Sequence, residues 1–388
     1  MLRQTTLSLT KRMSPWPTPL SVSVHKITNN IFISYSSTWA RESGRVLVTT
    51  EELEQSLSSS SSSNQLILLD ASWHMPSTKR NGHEEHQKKQ IPTAQFFNID
   101  TIADPMGSNT NPNSLPHMLP SNENFRAATA SLGILRDDVP VVVYDTTGIF
   151  SSCRVWWMLH SYGHRPTYIL DGGLPKWESE GREIISGTED AGQKEKYKNK
   201  NKEPKIDLFG DSNDLDKRFA VELDKDCVRN YDEMVMHARN KNAIILDARS
   251  EGRFAGTDPE PREGLRSGSI PSSINLPFQN LLETKTVEIV KNGAVQTWLS
   301  YTQFKDKKEL RRVVASGARK DSFGEAGEGI SAGGLKAART PIVTTCGSGV
   351  SACIIAAALR IAGFDHSISV YDGSWTEWGS TKEDPMDL

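Results

Sequence analysis

Short runs of aliphatic and β-branched residues recur along the chain, each followed by a longer stretch in helical rhythm. Leu66-Ile67-Leu68-Leu69-Asp70 reads as a buried strand ending in an acid, and Ile244-Ile245-Leu246-Asp247 repeats it. Val141-Val142-Val143-Tyr144-Asp145 leads through a loop of small residues into a helical pattern from Arg154 to Leu159. Ile342-Val343-Thr344-Thr345-Cys346 leads in the same way into Cys353 to Leu359. Tyr168-Ile169-Leu170-Asp171-Gly172-Gly173 with Trp177 closes the first series, and Val370-Tyr371-Asp372-Gly373-Ser374 with Trp378 closes the second. Runs that are apolar throughout, alternating with helices, predict a parallel sheet covered by helices on both faces. The pattern occurs twice, about 200 residues apart, so the chain reads as two homologous α/β domains and not as a solenoid.

The boundaries follow from what interrupts the pattern. The first domain spans 45–185, the second 219–388, and a Lys-rich stretch without apolar periodicity makes 186–218 a linker. The serine run Ser58–Ser63 and the Gly- and Ser-rich Gly317–Ala338 read as loop insertions. Residues 1–44 stand apart. Up to Arg41 they hold five basic residues, no acidic one and many hydroxyls, the composition of a mitochondrial transit segment.

Composition narrows the function. The 388 residues are 36% hydrophobic and 24% charged, with a net charge of −3. Nothing in that balance calls for nucleic acid or an anionic membrane as partner, and no apolar stretch is long enough to span a bilayer. Cys153, Cys227, Cys346 and Cys353 form no CxxC pair and no metal-ligand spacing, which points to a reducing compartment and a metal-free protein.

Cys346 is the chemical candidate. It follows a strand and opens the loop Gly347-Ser348-Gly349-Val350-Ser351 before a helix, the end of a parallel sheet where active groups gather. Loop amides and the helix N-terminus favour an anion there, either a thiolate or the terminal sulfur of a persulfide. Packing, a phosphatase nucleophile, a redox switch and a sulfur carrier all remain as readings. A phosphatase needs an arginine about six residues on, and position 352 is Ala. Cys353, in the helix, reads as a buried thiol more readily than as a resolving one.

The repeat, the Cys346–Ser351 loop and Tyr371-Asp372-Gly373-Ser374-Trp375 resemble the tandem-domain rhodanese superfamily, of the 3-mercaptopyruvate sulfurtransferase type. The resemblance runs from about Val46 to Trp378. Thiosulfate-using relatives carry basic residues where this chain has Gly347 and Ser348. The resemblance implies that Arg253 and Arg262 hold the carboxylate and keto oxygens of 3-mercaptopyruvate, a task that suits guanidinium forks. It implies that Gly347, Gly349, Val350 and Ser351 cradle the anionic sulfur. Asp100 and His117 of the first domain would reach the cysteine across the cleft and complete a proton relay with Ser348. One departure is that Gln90 and Ser269 stand where the family commonly has His.

Sulfur would then pass through a Cys346 persulfide to a small thiol, thioredoxin or cyanide, releasing pyruvate, with no cofactor. A thiosulfate sulfurtransferase and a relay handing sulfur to a tRNA-thiolation partner protein are the alternatives. Arg249 reads as structural, and Asp145, where the second domain has its thiol, bars the first domain from forming a persulfide.

Overall fold

A computed structural model describes residues 44–58, 66–186, 218–291, 294–317, 340–364 and 367–381. The transit-like segment, the interior of the serine run, nearly all of the linker and the Gly317–Ala338 insertion beyond its first residue lie outside the described residues.

The strands are β1 Leu47–Val48, β2 Ile67–Asp70, β3 Lys89–Gln90, β4 Gln95–Phe96, β5 Val141–Tyr144, β6 Thr167–Leu170 and β7 Ile185–Ser186 in the first copy. In the second they are β8 Val228–Arg229, β9 Ile244–Asp247, β10 Ser273–Asn275, β11 Leu282–Lys291, β12 Ala294–Phe304, β13 Ile342–Thr345 and β14 Ile368–Tyr371. Two five-stranded sheets result, β1-β6-β5-β2-β4 and β8-β14-β13-β9-β10, the same topology twice. Every pairing within them is parallel. The inner strands β2, β5, β6, β13 and β14 are buried at each residue, as runs without polar alternation require.

One apolar core runs through both copies. The helices Ser152–Ser161 and Ala352–Ala362 follow β5 and β13 and pack against each other inside it. Both are buried almost all round, which explains why neither carries the polar face of a surface helix. Ala352, Ala356, Ala357 and Ala358 keep the second helix slim, so the bulky Trp156 and Trp157 of the first find room in the same core. The outer face of each sheet has its own smaller cluster, around Tyr144 and Trp177 in one copy and Tyr371 and Trp378 in the other.

Residues 218–224 still lean on the first copy. Phe219 N donates to Leu135 O at 2.9 Å, and Asp224 N donates to Ser161 O at 2.7 Å, before the chain enters β8.

Each copy also reaches across to the other. Between β4 and the helix Asn122–Ser131, the first copy sends out a segment in which Leu119 N donates to Asp372 Oδ2 at 2.7 Å. Between β10 and the helix Lys307–Gly317, the second copy sends out the antiparallel hairpin β11–β12, in which Phe304 N donates to Asp171 Oδ1 at 3.1 Å. Asp372 and Asp171 each follow the strand of their sheet that comes last along the chain, so the exchange is reciprocal.

Candidate active site

Cys346 follows β13 directly and is 2% exposed. Its N–H donates to Ser374 Oγ at 3.2 Å, and its carbonyl accepts from Trp375 N at 3.0 Å. Gly347 O accepts from Thr376 N at 2.9 Å and from Thr376 Oγ1 at 2.6 Å. These bonds tie the first residues of the loop to the helix Ser374–Trp378.

What such a loop can bind is visible in the first copy. Asp145 follows β5 as Cys346 follows β13. Its Oδ1 accepts from Thr147 N at 2.9 Å and Gly148 N at 3.0 Å, and its Oδ2 from Phe150 N at 2.8 Å and Ser152 N at 2.9 Å. Four backbone amides therefore converge on one anion at the strand end, an oxyanion nest that this copy fills with its own carboxylate. Thr302 of the hairpin lies directly on that loop. Its Oγ1 accepts from Ile149 N at 3.1 Å and donates to Thr147 O at 3.1 Å. A Cβ on Gly148, at φ +112°, would stand 2.4 Å from Thr302 O.

Guanidiniums flank the second loop instead. A Cβ on Gly347 would lie 3.0 Å from Arg253 Nη2, and Arg262 Nη2 donates to Ser348 Oγ at 3.2 Å. Glu260, whose side chain is 2% exposed, organises the group: it accepts from Arg253 Nη2 at 2.5 Å and from Arg249 Nη1 at 2.9 Å. Arg249 also forks onto Asp247, at 2.7 Å from Nη2 to Oδ2, and lies over the Trp375 ring with 4.3 Å to its centroid. Burial pulls the Arg262 guanidinium below its ordinary value and the Arg253 charge adds to that, while interaction with Cys346, Glu260 and Asp100 opposes it. Arg249 and Arg253 are thus paired with Asp247 and Glu260, while Arg262 lies within charge range of Asp100 and Glu260 and reaches Ser348 of the loop.

From the first copy come His117 and Asp100. His117 Nδ1 is hydrogen-bonded to Asp100 Oδ1, and Trp73 Nε1 donates to Asp100 Oδ2 at 2.9 Å. Burial raises the Asp100 carboxyl, but His117, Trp73 and the Arg262 charge outweigh it and hold the group below the usual carboxylate range. His117 is 7% exposed, its backbone sits at φ +60°, and its Nε2 is buried without a hydrogen-bond partner. The reciprocal exchange places it. His117 precedes Leu119 by two residues as Thr302 precedes Phe304, and Thr302 lies on the Asp145 loop. His117 is therefore the counterpart of a residue that touches a strand-end loop.

Of the residues singled out in the sequence, the structure gathers Gly347, Ser348, Arg253 and Arg262 around Cys346, with Asp100 close enough to Arg262 for their charges to interact. Gly349 turns the loop at φ +78°, Val350 is buried in the shared core, and Ser351 is the residue before the helix. Glu260 and Trp73 escaped the sequence reading. The signal for Glu260 was a carboxylate between Arg253 and Arg262; Trp73 offered none.

The other thiols are held apart from chemistry. Burial pushes the Cys353 thiol far up, and its Sγ donates to Gly349 O at 3.2 Å. Burial and the Asp145 charge do the same to Cys153. Cys227 is raised more modestly, by burial and then by Asp224.

The family model of the Rhodanese-like domain matches residues 49–180 and 230–381. Over 401 aligned residues the chain is 34% identical to thiosulfate/3-mercaptopyruvate sulfurtransferase 1, mitochondrial, of Arabidopsis thaliana, covering 99% of this chain and 94% of that protein. It is 32% identical to 3-mercaptopyruvate sulfurtransferase of Rattus norvegicus, covering 86% of this chain and 92% of that one. Among solved structures it is similar to the Tum1 protein of Saccharomyces cerevisiae, with a TM-score of 0.64 and 26% identity over 87% of this chain and 95% of that chain.

Proposed function

The chain belongs to the rhodanese family, and on that premise we propose that it moves sulfur from 3-mercaptopyruvate, through a persulfide on Cys346, to a thiol or cyanide acceptor. Sulfurtransferase activity is what the names of its relatives share. The observation that carries the finer reading is the filled nest of the first copy. An aspartate places its oxygens three bonds from Cα, the reach at which a cysteine persulfide places its outer sulfur. The four amides that hold Asp145 support the reading that the loop after Cys346 turns its own amides toward that sulfur.

The steps balance as follows. The Cys346 thiolate attacks the donor sulfur, the carbon–sulfur bond breaks, and its electron pair leaves on carbon as the pyruvate enolate. The proton of the donor thiol ends on that carbon, carried by Ser348 and His117, with Asp100 orienting the imidazole. Arg253 and Arg262 orient the keto acid through its carboxylate and carbonyl oxygens. An acceptor thiolate then takes the outer sulfur and restores Cys346.

Two guanidinium forks, Arg253 and Arg262, suit the planar carboxylate and carbonyl of the monoanionic keto acid, and uncharged Gly347 and Ser348 add no further pull for dianionic thiosulfate. The plant relative's printed name carries both donors, so kcat/KM for each is the comparison that decides between them. Wild-type protein is expected to release pyruvate from 3-mercaptopyruvate and to gain one sulfur in intact mass. Cys346→Ser is expected to do neither, and pyruvate release by that variant would sink the mechanism. Small thiols or thioredoxin are the acceptors the chemistry allows, and a relay partner protein would show itself by carrying the labelled sulfur away.

The basic, acid-free stretch up to Arg41 and the plant relative's name support a mitochondrial location. Residues 1–44 fused to a fluorescent protein are expected to carry it into mitochondria; a diffuse cytoplasmic signal would overturn this.

A further inference from the structure

The helix Ser152–Ser161 holds an arginine inside the molecular core. Arg154 is 0% exposed. Its Nη1 donates to Asp372 Oδ1 at 2.6 Å and to Gly349 O, in the cysteine loop, at 3.2 Å. Its Nη2 donates to the carbonyl of His117. Asp372 in turn accepts Leu119 N on its other oxygen, at 2.7 Å. One guanidinium and one carboxylate thus join three pieces of chain: the loop after Cys346, the backbone of His117, and the segment that follows it.

Two features show that this junction is specific. The helices Ser152–Ser161 and Ala352–Ala362 are counterparts, and the position of Arg154 in the second is Ile354. The junction therefore exists on the Cys346 side only. His117 also sits at φ +60°, a conformation that costs a non-glycine residue energy and persists only where surroundings enforce it. The bond from Arg154 to its carbonyl supplies part of that enforcement, and it aims an imidazole whose Nε2 is otherwise unpartnered.

We propose that Arg154 and Asp372 are positioning residues for sulfur transfer, fixing the His117 imidazole of the first copy against the Cys346 loop of the second. Neither touches the keto acid. Substrate binding belongs to Arg253 and Arg262, both in the second copy, so a fault in the junction displaces the proton relay and leaves the binding groups where they are. The inference rests on the function proposed above.

Arg154→Lys tests it in the full chain. A lysine keeps a charge for Asp372 but, as a single ammonium, cannot hold Asp372, Gly349 O and His117 O together. With 3-mercaptopyruvate and a small-thiol acceptor, kcat is expected to fall about a hundredfold, the penalty for misplacing a reacting group by about an ångström. KM is expected to stay within about threefold, and the thermal midpoint close to that of the wild type. Asp372→Asn, which keeps the side chain's shape but loses the charge and one of the two acceptors, is expected to show the same split. A kcat within about threefold of wild type in Arg154→Lys would overturn the proposal, because a merely structural arginine is rescued by the conservative change. Equal movement of kcat and KM would overturn it too. If neither variant folds, the pair is a core element and the assignment fails. Wild-type pyruvate release, measured alongside, reports on the donor reading independently: its absence sinks that reading, whereas loss confined to the variants concerns the junction.

Discussion

Asp145 and Cys346 stand at the same strand end, and the difference between the two copies turns on that one residue. The carboxylate is held by four amides and covered by Thr302; the thiol has Arg253 and Arg262 beside its loop. Much of this was legible in the sequence, because a thiol, glycines and arginines at recurring offsets carry local signals. Arg154 was not, since its partners Gly349 and Asp372 lie 195 and 218 residues away. Gly349 gives the residue-scale prediction. It sits at φ +78°, and a Cβ there would stand 2.8 Å from Asp372 O and 2.9 Å from Arg154 Nη1. Gly363 has the same φ of +78° but would meet only the ends of Arg311 and Lys307. Gly363→Ala is expected to cost about 1 kcal/mol, the left-handed penalty alone, with activity intact. Gly349→Ala is expected to cost about 2–3 kcal/mol and most of kcat, because backbone must also move. Urea unfolding and steady-state assays of the pair check this; equal costs would mean that the loop tolerates the displacement.

At the scale of elements, the parallel strands declared themselves by apolar runs bounded by acid, cysteine or glycine. The two central helices did so by a near-continuous apolar face. The hairpin β11–β12 did not enter the sequence reading, though Asn292-Gly293 between two partly alternating runs is the standard short-range hairpin signal. The expectation of a parallel sheet for the whole domain masked it. Its position has a physical logic. It emerges where the first copy sends out His117 and Leu119, so both insertions occupy one place in the topology and both land on a strand-end loop of the other copy. One carries His117, whose carbonyl is held by Arg154; the other brings Thr302 to a loop already satisfied by its own carboxylate.

For the whole molecule, the shared core decides how acid is tolerated. His160 and His164 end the helix of the first copy and the turn after it, and burial lowers each to about 4. For His160 the Arg165 charge adds to burial. In the unfolded chain each titrates near the ordinary value of about 6.5. Between those values the unfolded chain binds more protons, so stability is fully present above about pH 6.5 and is lost as pH falls toward 4. The denaturation midpoint is expected to drop between pH 7 and pH 5, and His164→Gln to lessen the drop; an unchanged slope in that variant would remove His164 from the account. The reciprocal exchange also puts the molecule on a clock. Leu119 and its acceptor Asp372 are 253 residues apart in the chain. A ribosome adding about 5–20 residues per second needs roughly 10–50 s to cover that distance. For that time the nascent first copy holds out a segment whose place does not yet exist, and whatever shelters it decides how much of each synthesis reaches the finished state.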